Sequence, residues 1–148
     1  MQSVDECYRG RNVRVFRLDR AGVLARLRAR AQALLAAQPT VLEVRLFGSL
    51  AQGDAHPGSD ADLFIVVRDG AAPFLDRIPP LAAHFSGVGI GCDVIVYTES
   101  ERTALAARGG SFSAAVLEAG TTLASRDPAA GQEARTADNC PATSSLPR

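Results

Sequence analysis

The chain has 148 residues, 47% of them hydrophobic and 22% charged, with sixteen basic residues balancing sixteen acidic ones. That length fits one domain with a genuine core, and zero net charge argues against bulk electrostatic attraction to nucleic acid or membrane. All sixteen basic residues are arginine, which excludes a P-loop lysine, a Schiff base and a covalent lysyl-nucleotide intermediate. Cys7, Cys92 and Cys140 are odd in number and widely spaced, matching neither a disulfide framework nor a zinc site. The N-terminal "MQSVDECYRG" has no apolar targeting run and no segment is long enough to span a bilayer, so the expected compartment is the cytoplasm.

Asn12–Leu18 has the β-branched and aromatic content of a short strand, and Asp19 offers an N-cap. From Arg20 to Ala37, the residues Val23, Leu24, Leu27, Ala31, Leu34 and Leu35 form one stripe at helical spacing, which Pro39 ends. Val41–Phe47 alternates Val41, Glu43 and Arg45 against Leu42, Val44 and Leu46, predicting a strand that runs into a Gly48-Ser49 corner. Asp62–Val67 is almost continuously apolar, predicting a central strand covered on both faces. Pro73–Phe85 reads as a helical stretch interrupted by Pro79-Pro80, and Gly91–Thr98 as a third strand. Helices are predicted over Ser100–Arg108 and Phe112–Ala119, and a last strand over Thr121–Ala124. Residues 1–125 thus make the expected domain. Residues 126–148 have Leu146 as their only large apolar side chain and read as a disordered tail.

The chemistry concentrates in "LFGSLAQGDAHPGSDADLFIVV", Leu46–Val67. Positions i and i+2 of a strand share a face, so Asp60 and Asp62 are expected side by side. Two such charges about 4 Å apart repel by roughly 4 kcal/mol at an effective dielectric near 20, and a cation relieves this. Magnesium takes hard oxygen ligands and combines one or two carboxylates with water and substrate phosphates. Asp93 is the only aspartate inside another predicted apolar strand and joins the cluster if the two strands are neighbours. Gly48 lets backbone approach a ligand closely, and Ser49 adds a hydroxyl to the amides of the corner as phosphate donors. Such a division between phosphate donors and metal-holding acids suits phosphoryl or nucleotidyl transfer without a covalent intermediate. An isolated Asp-x-Asp arises about once by chance in a chain of this composition, so the composite with Gly-Ser carries the signal.

Gly48–Val67 resembles the Gly-Ser, ten residues, Asp-x-Asp motif of the polymerase-β-like nucleotidyltransferases, in particular the minimal MNT-type members. Asp93 falls about where that family places a third carboxylate, and Ser111–Ser125 resembles its closing helix and strand. The resemblance implies an α/β fold, a small mixed sheet with flanking helices, and an enzyme that moves a nucleoside monophosphate from ATP or another NTP to a hydroxyl. By position it implies that Asp60, Asp62 and Asp93 hold Mg2+, with Asp93 also helping to activate the hydroxyl, while Gly48, Ser49 and Ser59 contact the nucleotide. Many relatives carry arginine where this chain has Leu50 and Gln52. Many minimal members act as antitoxins that adenylylate a tyrosine of an all-helical HEPN toxin, which makes such a toxin the expected partner.

Other features carry less. His56 and His84 lack partners at metal-ligand spacing, and Cys92 is expected as an inert thiol facing away from Asp93. Residues 1–30 hold eight arginines, Arg9 to Arg30, against three acids, a pattern of a solvated helix face rather than a nucleic-acid groove, since aromatic interleaving is missing. With no room for a second domain, the acceptor is expected to be recognised by another chain, by a homo-oligomer, or by the short helices after Asp93.

Overall fold

The computed structural model describes residues 4–9, 14–70 and 72–126. It opens on an antiparallel hairpin of β1 (Val4–Arg9) and β2 (Arg14–Leu18) that forms a two-stranded sheet of its own. β1 has no counterpart in the sequence reading, and the first two residues of the predicted strand, Asn12 and Val13, lie outside the described residues.

α1 (Arg20–Ala37) follows, and the Asp19 side chain accepts from the Gly22 amide at 3.0 Å as its N-cap. The predicted stripe is the buried face: Val23, Leu27, Ala31, Leu34 and Leu35 are covered, with Leu24 at its margin. β3 (Val41–Phe47) leads into the short α2 (Gly48–Gln52), then come β4 (Ala61–Val67), α3 (Ile78–Ala82) between two 3-10 turns, β5 (Cys92–Thr98), α4 (Glu99–Arg108), α5 (Ser111–Ser113) with its π-helical continuation Ala114–Glu118, and β6 (Thr121–Ser125). The second sheet has the order β5-β4-β3-β6; β4 and β5 are parallel and the other two pairs antiparallel. β4 is central as predicted, and Leu63, Phe64, Ile65 and Val66 are almost fully buried.

Two local readings change. Pro79 and Pro80 do not interrupt a helix; they occupy the first turn of α3, where an absent N–H leaves no helical bond unmade. In β3, a bulge between Val41 and Glu43 breaks the expected alternation, so Val41 joins Val44 and Leu46 on the α1 side and Leu42 falls on the other. Glu43 and Arg45 are 3% and 8% exposed.

That second face is closed by α4, α5 and the π-helical turn. Arg45 is fixed there by Glu43 Oε1 at 2.9 Å, Thr122 Oγ1 at 2.8 Å and the carbonyls of Val116, Leu117 and Gly120. Arg102 of α4 reaches Glu43 Oε2 at 3.1 Å, so the buried carboxylate is paired on both oxygens. α4 itself starts with a capping box in which Thr98 and Glu101 satisfy each other's backbone amides. Arg126 ends the described chain, donating to the carbonyls of Leu35, Gln38 and Val41; residues 127–148, the rest of the expected tail, lie outside the described residues. Among the described residues no helix is long and apolar enough to cross a membrane.

Candidate active site

The sheet register decides where the acids meet. β4 and β5 run parallel with Asp62 directly opposite Asp93 and Ala61 opposite Cys92. Asp62 and Asp93 therefore point to one face at the N-terminal ends of both strands, and Cys92 points to the other, where it packs against the aliphatic core beside α1. Burial, then the charges of Asp60 and Asp93, push the Cys92 thiol up to about 11, which leaves it protonated and unreactive at neutral pH.

Asp60 differs from the expectation of a shared strand face. β4 begins at Ala61, whose amide donates to the Gly91 carbonyl at 2.8 Å, so Asp60 sits one residue ahead of the strand. Its carboxylate lies against Gly91, while that of Asp62 lies against Gly48; a Cβ on either glycine would collide with the facing oxygen. The two carboxylates thus brace against different backbone segments, one before β5 and one after β3. Burial raises the Asp62 pKa, and the negative charges of Asp93 and Asp60 raise it further.

The Gly-Ser corner starts α2. Gly48 has φ of +74°, a conformation side chains resist, and it carries β3 into the helix. Leu50 is fully buried in the core and Gln52 is exposed, so these two positions of α2 have different environments. Two arms of the Arg20 guanidinium reach α2 from the start of α1, donating to the carbonyls of Leu50 at 3.1 Å and Ala51 at 3.3 Å. Ser59 closes the loop ahead of the acids: its hydroxyl accepts from the His56 amide at 3.0 Å, and its own amide donates to the His56 carbonyl. Phe47 stands opposite Asp62 in the β3–β4 register, and its ring meets that of Phe112 edge-on at 5.9 Å. A half-buried aromatic pair therefore borders the acids. Neither the Arg20 tie nor the braces from Gly48 and Gly91 were read from the sequence; the only local signal was a glycine immediately before or after a strand.

The donor set suits magnesium. Three carboxylates offer hard oxygen ligands, and among the described residues no arginine forms an ion pair with any of them. Among the described residues no three His, Cys, Asp or Glu side chains are gathered closely enough to hold one metal ion, so the expected triad does not converge on a single point: Asp62 faces Asp93, while Asp60 is turned to Gly91.

A family model described as "Nucleotidyltransferase domain" matches residues 27–109, more than half of the chain. This chain belongs to that family. The nucleotidyltransferase fold also appears in a Sulfolobus solfataricus crystal structure described as a nucleotidyltransferase, with a TM-score of 0.54 and 21% identity over 72% of this chain and 84% of that one. The crystal structure of a toxin-antitoxin with AMP-PNP is similar at a TM-score of 0.44 and 23% identity, over 79% of this chain and 82% of that one. No curated protein matches the chain in sequence. The mixed sheet and flanking helices expected from the motif are those of this nucleotidyltransferase fold.

Proposed function

We propose that this nucleotidyltransferase-family chain is a magnesium-dependent adenylyltransferase that moves AMP from ATP to an acceptor hydroxyl and releases pyrophosphate. The observation that carries the reading is the in-register pairing of Asp62 with Asp93, with Asp60 close enough to raise the Asp62 pKa and, among the described residues, no arginine in an ion pair with them. Asp60, Asp62 and Asp93 would hold Mg2+, which when bound supplies charge neutralisation for the triphosphate and the leaving group. Asp93 is exposed at the strand end, where it can accept a hydrogen bond from an incoming hydroxyl and orient its oxygen toward the α-phosphorus. Gly48 and Ser49 would receive phosphate oxygens at the corner, and Ser59, whose hydroxyl already accepts from His56, retains its proton to donate. In-line displacement then needs orientation and charge neutralisation rather than a covalent nucleophile, in keeping with a chain that has no lysine.

For the acceptor we propose a tyrosine on a separate all-helical HEPN-type toxin, with this chain as its antitoxin. Support comes from the MNT-type motif, Gly48-Ser49 followed after ten residues by Asp60 and Asp62.

The test is incubation with magnesium and α-labelled ATP, with and without the partner. Label should enter the partner protein, and the double variant Asp60→Asn, Asp62→Asn should reduce incorporation at least a thousandfold. Persistent labelling by that variant would remove the reaction from this site. Turnover onto a small hydroxyl compound with no protein present would point to an aminoglycoside-type activity. Full neutralisation of the partner by the inactive variant would reduce this chain to a contact inhibitor.

A further inference from the structure

We infer that Arg20 is a positioning residue for the transfer proposed above: by tying the last carbonyls of α2 to the start of α1, it holds Gly48 against the Asp62 carboxylate. Its effect on turnover rests on that reading of the site.

The geometry gives α2 few other restraints. A helix of five residues cannot persist by itself, because nucleation costs more than so few bonds return. Its ends must therefore be fixed from outside. The Ser49 carbonyl is taken by the amides of Gly53 and Asp54, and Gly53 closes the turn in the left-handed conformation at φ +86°. The next two carbonyls, Leu50 and Ala51, have no following turn of helix to satisfy them, and both accept from Arg20. Leu50 pins the other side of α2 in the core. The first residue of the same turn is Gly48, packed so closely on Asp62 Oδ2 that no Cβ could fit. A shift of α2 is therefore passed directly to a carboxylate proposed to hold the metal.

Placement of a cation here is informative. Arg20 is the first residue of α1, where the helix dipole disfavours positive charge and acids are usual; none occupies the first turn. At the C-terminal end of α2 the same charge meets exposed carbonyls and is favourable. The residue thus serves the neighbouring helix better than its own. It also lies ahead of the segment matched by the family model, residues 27–109, and so supplements the motif from outside it.

Arg20→Lys keeps the charge but loses the planar fork that reaches two carbonyls, and Arg20→Ala loses both. In Arg20→Ala we expect kcat for AMP transfer to fall about tenfold to a hundredfold, a weaker requirement-saturating affinity for Mg2+, and an unchanged KM for the acceptor. Amide hydrogen exchange at Leu50–Asp54 should accelerate at least tenfold while the amides of β4 keep their protection. Arg20→Lys should recover only part of the loss. Wild-type exchange and kcat in Arg20→Ala, or full recovery by lysine showing that charge alone suffices, would overturn the role of Arg20 while leaving the reaction standing. A wild-type chain that transfers no AMP to any hydroxyl would overturn the reaction, and the catalytic consequence of Arg20 with it.

Discussion

The two faces of the four-stranded sheet are made by the same strands and do different work. The face under α1 is aliphatic throughout: Val41, Val44, Leu46, Leu63, Ile65, Val67, Val94 and Val96 meet Val23, Leu27, Ala31 and Leu34 in one cluster. The opposite face is divided along its length. Its middle holds Phe64 and Val66 under α4 and the segment after it, flanked by the Glu43–Arg45 pair, and its end carries Asp62 and Asp93 beside Phe47. The first face stabilises by burying apolar area, whereas the second spends part of its area on charges that must be paired or left open to water and ligand. The site proposed at the end of the second face is thus backed by the dry one.

The sharpest way to break this contrast is to cut into the dry face. Leu27→Ala leaves a cavity beneath the fully buried α1 stripe and should lower unfolding free energy by about 3 kcal/mol in urea titration, with the activity of the remaining folded fraction unchanged. A loss below about 1 kcal/mol would mean that the α1 face contributes no more than an ordinary surface helix.

On the other face, Arg45→Met should cost about 2–3 kcal/mol, because Glu43 keeps its buried charge with only Arg102 to answer it. Adding Glu43→Gln should return most of that loss. A double variant no more stable than the single one would show that Arg45 acts through its bonds to the carbonyls of Val116, Leu117 and Gly120 instead.

The smallest effect has the opposite sign. Asp62 is raised from its ordinary value of 3.8 by burial and by its two acidic neighbours, so the native chain holds a proton there that the unfolded chain has already lost. Native stability therefore falls as pH rises from 3.8 through the raised value, and the full penalty is present above it. In metal-free protein, Asp62→Asn should be more stable than the wild type at neutral pH and no more stable below 3.8, where the carboxyl is protonated in both folded and unfolded chains. Magnesium with ATP should stabilise the wild type and not the variant, reversing their order in thermal melts. A variant that is less stable at neutral pH would contradict a strained acidic row.

How far the sequence reached differs between the faces for a physical reason. The α1 stripe, its Asp19 cap and the apolar centre of β4 follow from periodicity and local hydrogen bonding, which act over a few residues and leave a direct trace in residue order. The Gly-Ser and Asp-x-Asp spacing likewise marked the family, because the corner and the strand that follows it are close along the chain. The buried Glu43–Arg45 pair did not show: alternation placed both on one face of the strand but not what covers it, and their cover comes from residues more than 70 positions away. The bulge in β3 and the placing of Pro79-Pro80 in a first helical turn were equally silent, since each depends on what the neighbouring strand or turn supplies.

Residue order alone determined α1, the strands from β2 onward, the core stripe and the candidate acids Asp60, Asp62 and Asp93. Only tertiary structure decided that Asp62 faces Asp93 across parallel strands, that Asp60 braces on Gly91 instead, and that Arg20 holds α2. Strand register and side-chain reach between distant segments are set by the packing of the whole core, and no local pattern encodes them.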